Sequence, residues 1–456
     1  MSRRTSRRTF LGATAAAAAG AAGAGRLMAQ SVATSSAASP NDTLNIAFIG
    51  AGGKGGENLS RLSALKGVNV VALCDVDGRT LEGAAKNHPK AKRYADYRKL
   101  LDDHKSFDAA VVTVPDHHHA FAAVNAMKLG KHVYCEKPLT HSVYEARVMR
   151  ETAAKYKVAT QMGNGGHAGR GVRAVVEALK AGVIGNVTEA YAWTNRPIWP
   201  QGHARPQGSD PVPEHLDWDL WLGPAPQRPY VGSRNGERTY HPFVWRGWWD
   251  VGTGALGDMG CHIIDSIYWG LDLDQPATVE ADFDSPHNDE TAPNWSIVRY
   301  TFPGKGGKPP VKFTWYDGGK LPPAELSDGL VARDAEGRVR MDNGVLLVGD
   351  KGRLVSDRRN AYRLLPEKDF QGFQPPPRTL PQSPGHYEEW VAACRGGEPA
   401  MSNFDYAGRL TEMVLLGNVA IRAGKKIEWD AEKMQVTNAP EANRFVKREY
   451  RAGWSL

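Results

Sequence analysis

Cysteine is scarce in this chain: four among 456 residues, at Cys74, Cys135, Cys261 and Cys394. They have neither metal-ligand spacing nor the density of a disulfide framework, which excludes a stapled mini-scaffold and leaves small buried thiols as the expectation. No run approaches the roughly 20 strongly apolar residues needed to cross a bilayer. Acidic residues are missing from the first forty positions, where five of the 57 basic residues lie (Arg3, Arg4, Arg7, Arg8, Arg26). Without them 52 basic residues face 50 acidic ones, so the formal +7 falls to +2 and the body is close to neutral. That removes nucleic acid and acidic membrane as leading partners. The 49 glycines and 29 prolines follow no period, which excludes a fibrous protein.

What is present suits two or three globular domains. Residues 1–40 contain Ser6-Arg7-Arg8-Thr9-Phe10-Leu11, then an uncharged Ala/Gly-rich stretch and a small polar segment. This resembles a twin-arginine export signal, and it implies export through the twin-arginine machinery to the periplasm or another extracytoplasmic space. Free thiols agree with a protein that folds in the cytosol before export.

Residues 41–162 read as a dinucleotide-binding domain. Leu44 to Ile49 is an apolar strand, followed at once by Gly50-Ala51-Gly52-Gly53-Lys54-Gly55 and a helix from about Glu57. A second strand from Val68 ends at Cys74-Asp75, which puts an acid where it can accept hydrogen bonds from a ribose diol. The glycines let the backbone approach a pyrophosphate at the helix N-terminus. An acid there repels a 2′-phosphate, favouring NAD over NADP, although Arg79 lies nearby. Strands and helices then alternate to Met162, implying a doubly wound parallel sheet with ligands at its C-terminal strand ends. Thr113, Pro115, His119, Glu136 and Lys137 fall at or just after such ends.

Ala47-Phe48-Ile49-Gly50-Ala51-Gly52, Cys74-Asp75, Pro115 with His119, Gly130 to Pro138 (GKHVYCEKP) and Gly254 to His262 (GALGDMGCH) carry a family resemblance. Over residues 44–425 the chain resembles the Gfo/Idh/MocA oxidoreductases, the glucose–fructose oxidoreductase and inositol dehydrogenase family. The resemblance implies NAD chemistry on a sugar or cyclitol, with Lys137, Asp258 and His262 as the catalytic group. Asp258 and His262 are four apart and share a helix face. Hydride leaves a carbinol carbon only as the hydroxyl proton is removed, which calls for a base titrating near neutrality. The sequence leaves open which of Lys137 and His262 takes that proton; Asp258 would orient the pair or relay the proton.

From about Gly163 to about residue 430 the pattern changes: a helix near 168–181 leads to a strand at 187–194. Strand-like runs at 277–283, 296–302, 311–316 and 345–348 follow without helices between them, and helical patterns lie near 385–393 and 404–423. This implies an α+β domain with a large, mostly antiparallel or mixed sheet, for substrate and oligomer contacts, and a homo-oligomer. Residues 431–456 form a C-terminal tail. A Trp/Pro-rich insert at 196–250 offers rings for sugar stacking, Trp249 foremost, or packs as a loop. Asn164, His167 and Arg173 lie where the chain crosses between domains, placing them as substrate contacts, with His167 as an added acid/base or a capping group. Adjacent His117, His118 and His119 point in different directions, so no metal is expected.

Three functions are compatible: a dehydrogenase releasing NADH, an enzyme that restores a tightly bound NAD in every cycle, and a non-enzymatic sugar-binding protein. Export favours the second, since no dinucleotide pool or recycling partner is expected outside the cytoplasm. Its preferred form is glycoside cleavage by oxidation at C3, elimination, hydration and reduction. The alternative is a plain or sugar–sugar oxidoreductase.

Overall fold

The computed structural model describes residues 43–234, 236–284, 288–327, 343–357 and 362–456. The twin-arginine segment lies outside them. Pro40–Leu456 is one compact unit.

Its first half alternates strand and helix: β1 Leu44–Ile49, α1 Lys54–Ser63, β2 Val68–Cys74, α2 Gly78–Asn87, β3 Lys92–Tyr94, α3 Tyr97–Asp102, β4 Ala109–Val112, α4 Asp116–Lys128, β5 His132–Cys135, α5 Val143–Tyr156 and β6 Thr160–Met162. The six strands are all parallel, in the order β3-β2-β1-β4-β5-β6. Strand order reverses between β1 and β4, so a crevice opens at the carboxyl ends of those two strands, where dinucleotides bind in such sheets. Apolar strand residues such as Ile46, Phe48, Val111 and Val133 are fully buried, as a sheet covered on both faces requires. A capping box between Ser142 and Glu145 starts α5.

The second half contains α6 Arg170–Lys180, β7 Val187–Thr194, α7 Trp218–Leu222, a short hairpin β8 Ser233–Arg234 and β9 Glu237–Arg238, α8 Gly254–Ile263, α9 Asp265–Gly270, β10 Thr278–Phe283, β11 Ser296–Phe302, β12 Val311–Tyr316, α10 Ala324–Ser327, β13 Asn343–Gly349, β14 Gly352–Ser356, β15 Arg363–Leu365, α11 His386–Cys394, α12 Phe404–Ala423, β16 Ile427–Asp430, β17 Gln435–Val436 and α13 Asn443–Val446. Nine strands form one sheet, β15-β14-β13-β7-β12-β11-β10-β16-β17, antiparallel except for the β7–β12 pair. The long α12 is buried along most of its length and packs against α5, α8 and this sheet, so one continuous core joins the halves. No described helix is long and apolar enough to cross a membrane.

The tryptophans of the insert mostly pack one another. Trp218, Trp221, Trp245 and Trp248 form a separate small core with Leu216, Tyr240 and Val251. The Trp218 and Trp221 rings stack at 4.7 Å. This core is pinned to the parallel-sheet half through backbone bonds from Gly78 to His215 (2.7 Å) and from Asp217 to Val76 (3.0 Å).

Candidate active site

A cavity of about 640 Å³ opens at the β1–β4 crevice. Its walls include the glycine loop, Asp75, Thr113 to Asp116, His119, Glu136, Lys137 and Asp258. The insert and the chain end complete it with Trp221, Phe243, Trp245, Arg246 and Trp454.

Glycine is demanded at two points of the loop. Gly50 has φ +91° and a Cβ there would sit 2.0 Å from the Thr113 carbonyl oxygen; one on Gly55 would sit 2.2 Å from the Gly50 carbonyl oxygen. Helix α1 starts without a side-chain cap; Gly55 and Gly56 turn their N–H groups back to the Gly52 carbonyl oxygen at 2.8 and 3.3 Å, and the positive end of the helix dipole faces the place of a pyrophosphate. Asp75 accepts from Ala51 N and Asp77 N, each at 2.9 Å, tying the loop to the end of β2; burial pushes its carboxyl up despite those bonds. Each oxygen keeps a further lone pair for a ribose hydroxyl. The loop, the bare helix start and the acid together fit NAD.

At the other end, Asn58 Nδ2 donates to Thr113 Oγ1 and Glu136 Oε1, both at 3.0 Å, while Tyr387 of α11 donates to Asn58 Oδ1 at 2.8 Å. Burial raises the Glu136 carboxyl, opposed by the Lys54 ammonium and the Asn58 bond. His119 faces Pro138 O and Val114 O, each at 2.8 Å, and burial pushes its imidazole down to about 4. Uncharged at neutral pH, it braces the turn that carries Lys137.

Lys137 Nζ donates to Asp258 Oδ1 and to Asp258 O, both at 2.8 Å. Arg246 Nε donates to the same Oδ1 at 3.1 Å. Burial works against ionisation of Asp258, but the two cations and His262 outweigh it and hold the carboxyl at about 2. His262 follows one turn later on α8, half-buried, near enough to act electrostatically on Asp258 without lining the cavity. Asp116 is buried in the cavity wall, where its Oδ2 accepts from Thr253 Oγ1 at 2.6 Å. Burial drives this carboxyl up to about 7, against the Thr253 bond and the Arg246 and Lys137 charges. Asp116 and Arg246 escape a sequence reading. One looks like an ordinary helix-start acid, and the other arrives from a long insert.

Besides His262, four sequence candidates lie away from this cavity. His167 bonds Asp265 at 3.0 Å and stacks on Trp269, and Tyr406 donates to the same carboxylate, making a buried cluster behind α8. Asn164 accepts from Ser402 at 2.6 Å. Arg173 pairs with Glu389 at 2.6 Å. Trp249 is buried against His141, Thr253 and Arg422. The chain crossing brings Asn164, His167 and Arg173 to the domain junction, where they bond the junction itself. His117 and His118 both reach the Trp221 carbonyl, at 3.0 and 2.9 Å, fastening α4 to the insert. Among the described residues no group of three or more His, Cys, Asp or Glu could hold a metal.

Comparison with known proteins agrees with this geometry. Residues 44–164 match the model of an oxidoreductase family with an NAD-binding Rossmann fold, and residues 174–307 match the same family's C-terminal alpha/beta domain. The chain is similar to an inositol 2-dehydrogenase of Salmonella typhimurium, 36% identical over 115 residues, 25% of this chain and 34% of that one. It is also similar to a glycosyl hydrolase family 109 protein of Solibacter usitatus, 31% identical over 215 residues, 44% of this chain and 49% of that one. The chain thus spans about a third to a half of the length of these curated relatives. Its fold is like that of the WlbA dehydrogenase from Bordetella pertussis, solved with NADH and UDP-GlcNAcA, at TM-score 0.59 and 15% identity over 85% of this chain and 99% of that one. The chain belongs to the Gfo/Idh/MocA oxidoreductase family and carries its NAD-binding Rossmann domain.

Proposed function

We propose that this enzyme acts on a sugar, keeps its NAD through the catalytic cycle and carries out redox-neutral glycoside cleavage. The observation that carries the reading is the cover over the cavity: Trp221, Phe243, Trp245 and Arg246 from the insert, and Trp454 from the chain end, share its wall with the glycine loop and Lys137. A nucleotide seated in this cavity is flanked by these side chains as well as by the glycine loop, which favours retention over exchange. Similarity to glycosyl hydrolase family 109 proteins supports the hydrolytic outcome. Export directed by residues 1–40 gives retention its purpose.

Bound NAD supplies an acceptor for hydride and, once reduced, a donor. The protein's own groups do the rest. An ammonium has three N–H donors; Lys137 gives two to Asp258, leaving one to hold the reacting sugar oxygen. The hydroxyl proton passes by way of Asp258 to His262, which acts on Asp258 but does not itself line the cavity. A ketone at C3 acidifies the C2 proton, and Asp116, the cavity carboxyl held near neutrality, removes it as the C1–oxygen bond breaks and the aglycone leaves. Water then adds at C1, C2 regains a proton, and the ketone is reduced. His167, tied to Asp265 outside the cavity, takes no part in this scheme.

The inositol dehydrogenase similarity favours a second reading, in which an oxidised sugar or cyclitol is released. Chromogenic α- and β-glycosides mixed with protein purified without added nicotinamide separate the two. Aglycone release over many turnovers without net nicotinamide reduction supports the proposal. Reduction that stops after one turnover and resumes only with fresh NAD overturns it in favour of the dehydrogenase.

A further inference from the structure

Arg422, near the end of α12, is half-buried and makes no hydrogen bond or ion pair with any described residue. Its guanidinium lies 5.4 Å from the Trp249 ring centre and 4.3 Å from that of Phe445, and its Nε is buried without a partner. A second guanidinium, Arg444, stands 4.6 Å over the same Phe445 ring. Buried charges are ordinarily paired, because desolvation is otherwise uncompensated. Asp250 and Asp289 act on Arg422 only at a distance, and Asp250 is already bonded by Arg205 and Arg228 at 2.9 and 2.8 Å.

Beside Arg422 is a separate pocket of about 20 Å³, also lined by Trp249, His141, Ser142, Thr253, Asn418 and Phe445. That volume holds one water-sized particle. Trp249 is 4% exposed and its indole Nε1, which can only donate, is buried without an acceptor. His141, also in the pocket wall, has both ring nitrogens buried without a hydrogen-bond partner, and burial with Arg448 and Arg422 as positive neighbours keeps it uncharged. An unpaired guanidinium and an unspent indole N–H around a water-sized space make a donor set with net positive charge and no carboxylate ligand.

We infer that this pocket is a binding site for a small monovalent anion of the halide class, held by Arg422 and the Trp249 indole N–H. Its place gives the site a structural consequence. Asn418 donates to Thr253 O at 2.9 Å, and Thr253 in turn donates to Asp116. An anion here fastens α12 and the chain end to the loop that leads into α8.

The test compares thermal melting of the full mature protein in chloride and in gluconate, which is too large for the pocket, at equal ionic strength. Chloride is expected to raise Tm by about 2 °C over gluconate at saturation, and Arg422→Met to abolish that difference. Crystals grown in bromide provide a second readout that does not depend on the variant folding. An anomalous peak between Arg422 Nε and Trp249 Nε1 supports the site. Equal melting in the two salts with no bromide peak, leaving ordinary water in the pocket, overturns it.

Discussion

Asp258 and Asp116 occupy one cavity, the first held far below neutrality and the second raised to near it, because two cations touch the first and only a hydroxyl touches the second. Asp258 therefore stays ionised throughout the working pH range and keeps Lys137 in place. Lys137→Ala is expected to lower turnover by on the order of 10²–10⁴-fold while leaving bound NAD at full occupancy, read from the absorbance of the purified protein; unchanged turnover would remove Lys137 from the chemistry. Asp116 follows the reverse logic. Its folded pKa of about 7 lies above the ordinary 3.8, so the native state holds a proton that the unfolded chain releases. The resulting penalty is absent below about pH 4, grows through the interval and is complete above about pH 7. Asp116→Asn keeps an acceptor for Thr253 and should stabilise the protein by roughly 2–4 kcal/mol at pH 8, with no gain at pH 4, as chemical denaturation would show. The same variant should lose aglycone release while still reducing NAD once on mixing with substrate. Retained cleavage would show that another group takes the C2 proton.

At the scale of elements, the parallel-sheet half was legible because its local signals agree. An apolar strand, a Gly-x-Gly-x-x-Gly turn and an acid at the next strand end each constrain the same crevice, and the clash distances at Gly50 and Gly55 give the physical reason for the glycines. Gly50→Ala should therefore abolish NAD binding and destabilise the fold, measured by cofactor content and Tm; a loaded, stable variant would contradict the loop's geometry. Strands β7, β11 and β12 were equally readable, being long runs with alternating burial. The insert was not. Its tryptophans carry no period, and whether such rings meet a sugar or one another depends on contacts far apart in sequence, such as the backbone bond from Gly78 to His215. Asp258, which meets Lys137, was legible through its block and its spacing to His262, whereas Asp265, which meets His167, has no such local signal. Both lie on the adjoining helices α8 and α9, seven residues apart.

Residues 443–456 pack back across the compact unit of residues 40–456. Arg448 donates to Glu145 at 2.8 Å and to the His117 carbonyl at 2.7 Å, and Arg451 reaches Asp219 in the insert. Trp454 then lies against Tyr97, His118 and Phe121, under the Arg98 guanidinium at 4.5 Å, and forms part of the cavity wall. This arrangement separates two effects that removing the tail would combine. Arg448→Met leaves the buried Glu145 carboxylate without its counter-charge, held only by the His141 and Ser142 N–H groups, and should cost about 3 kcal/mol of stability, seen as a lower denaturation midpoint. Trp454→Ala removes one side of the nucleotide's cover and leaves the ion pairs, so its effect belongs to retention. NAD should dissociate from it at least about tenfold faster, followed by loss of cofactor on repeated gel filtration and its return on adding NAD. Export sharpens the consequence. If Arg7 and Arg8 direct the folded protein out of the cytosol, Trp454→Ala should reach the periplasm partly empty while the unmodified protein arrives loaded. A Trp454→Ala protein that holds NAD as firmly as the original would mean that the glycine loop alone retains the cofactor, and would remove the cover as the basis for a self-restoring cycle.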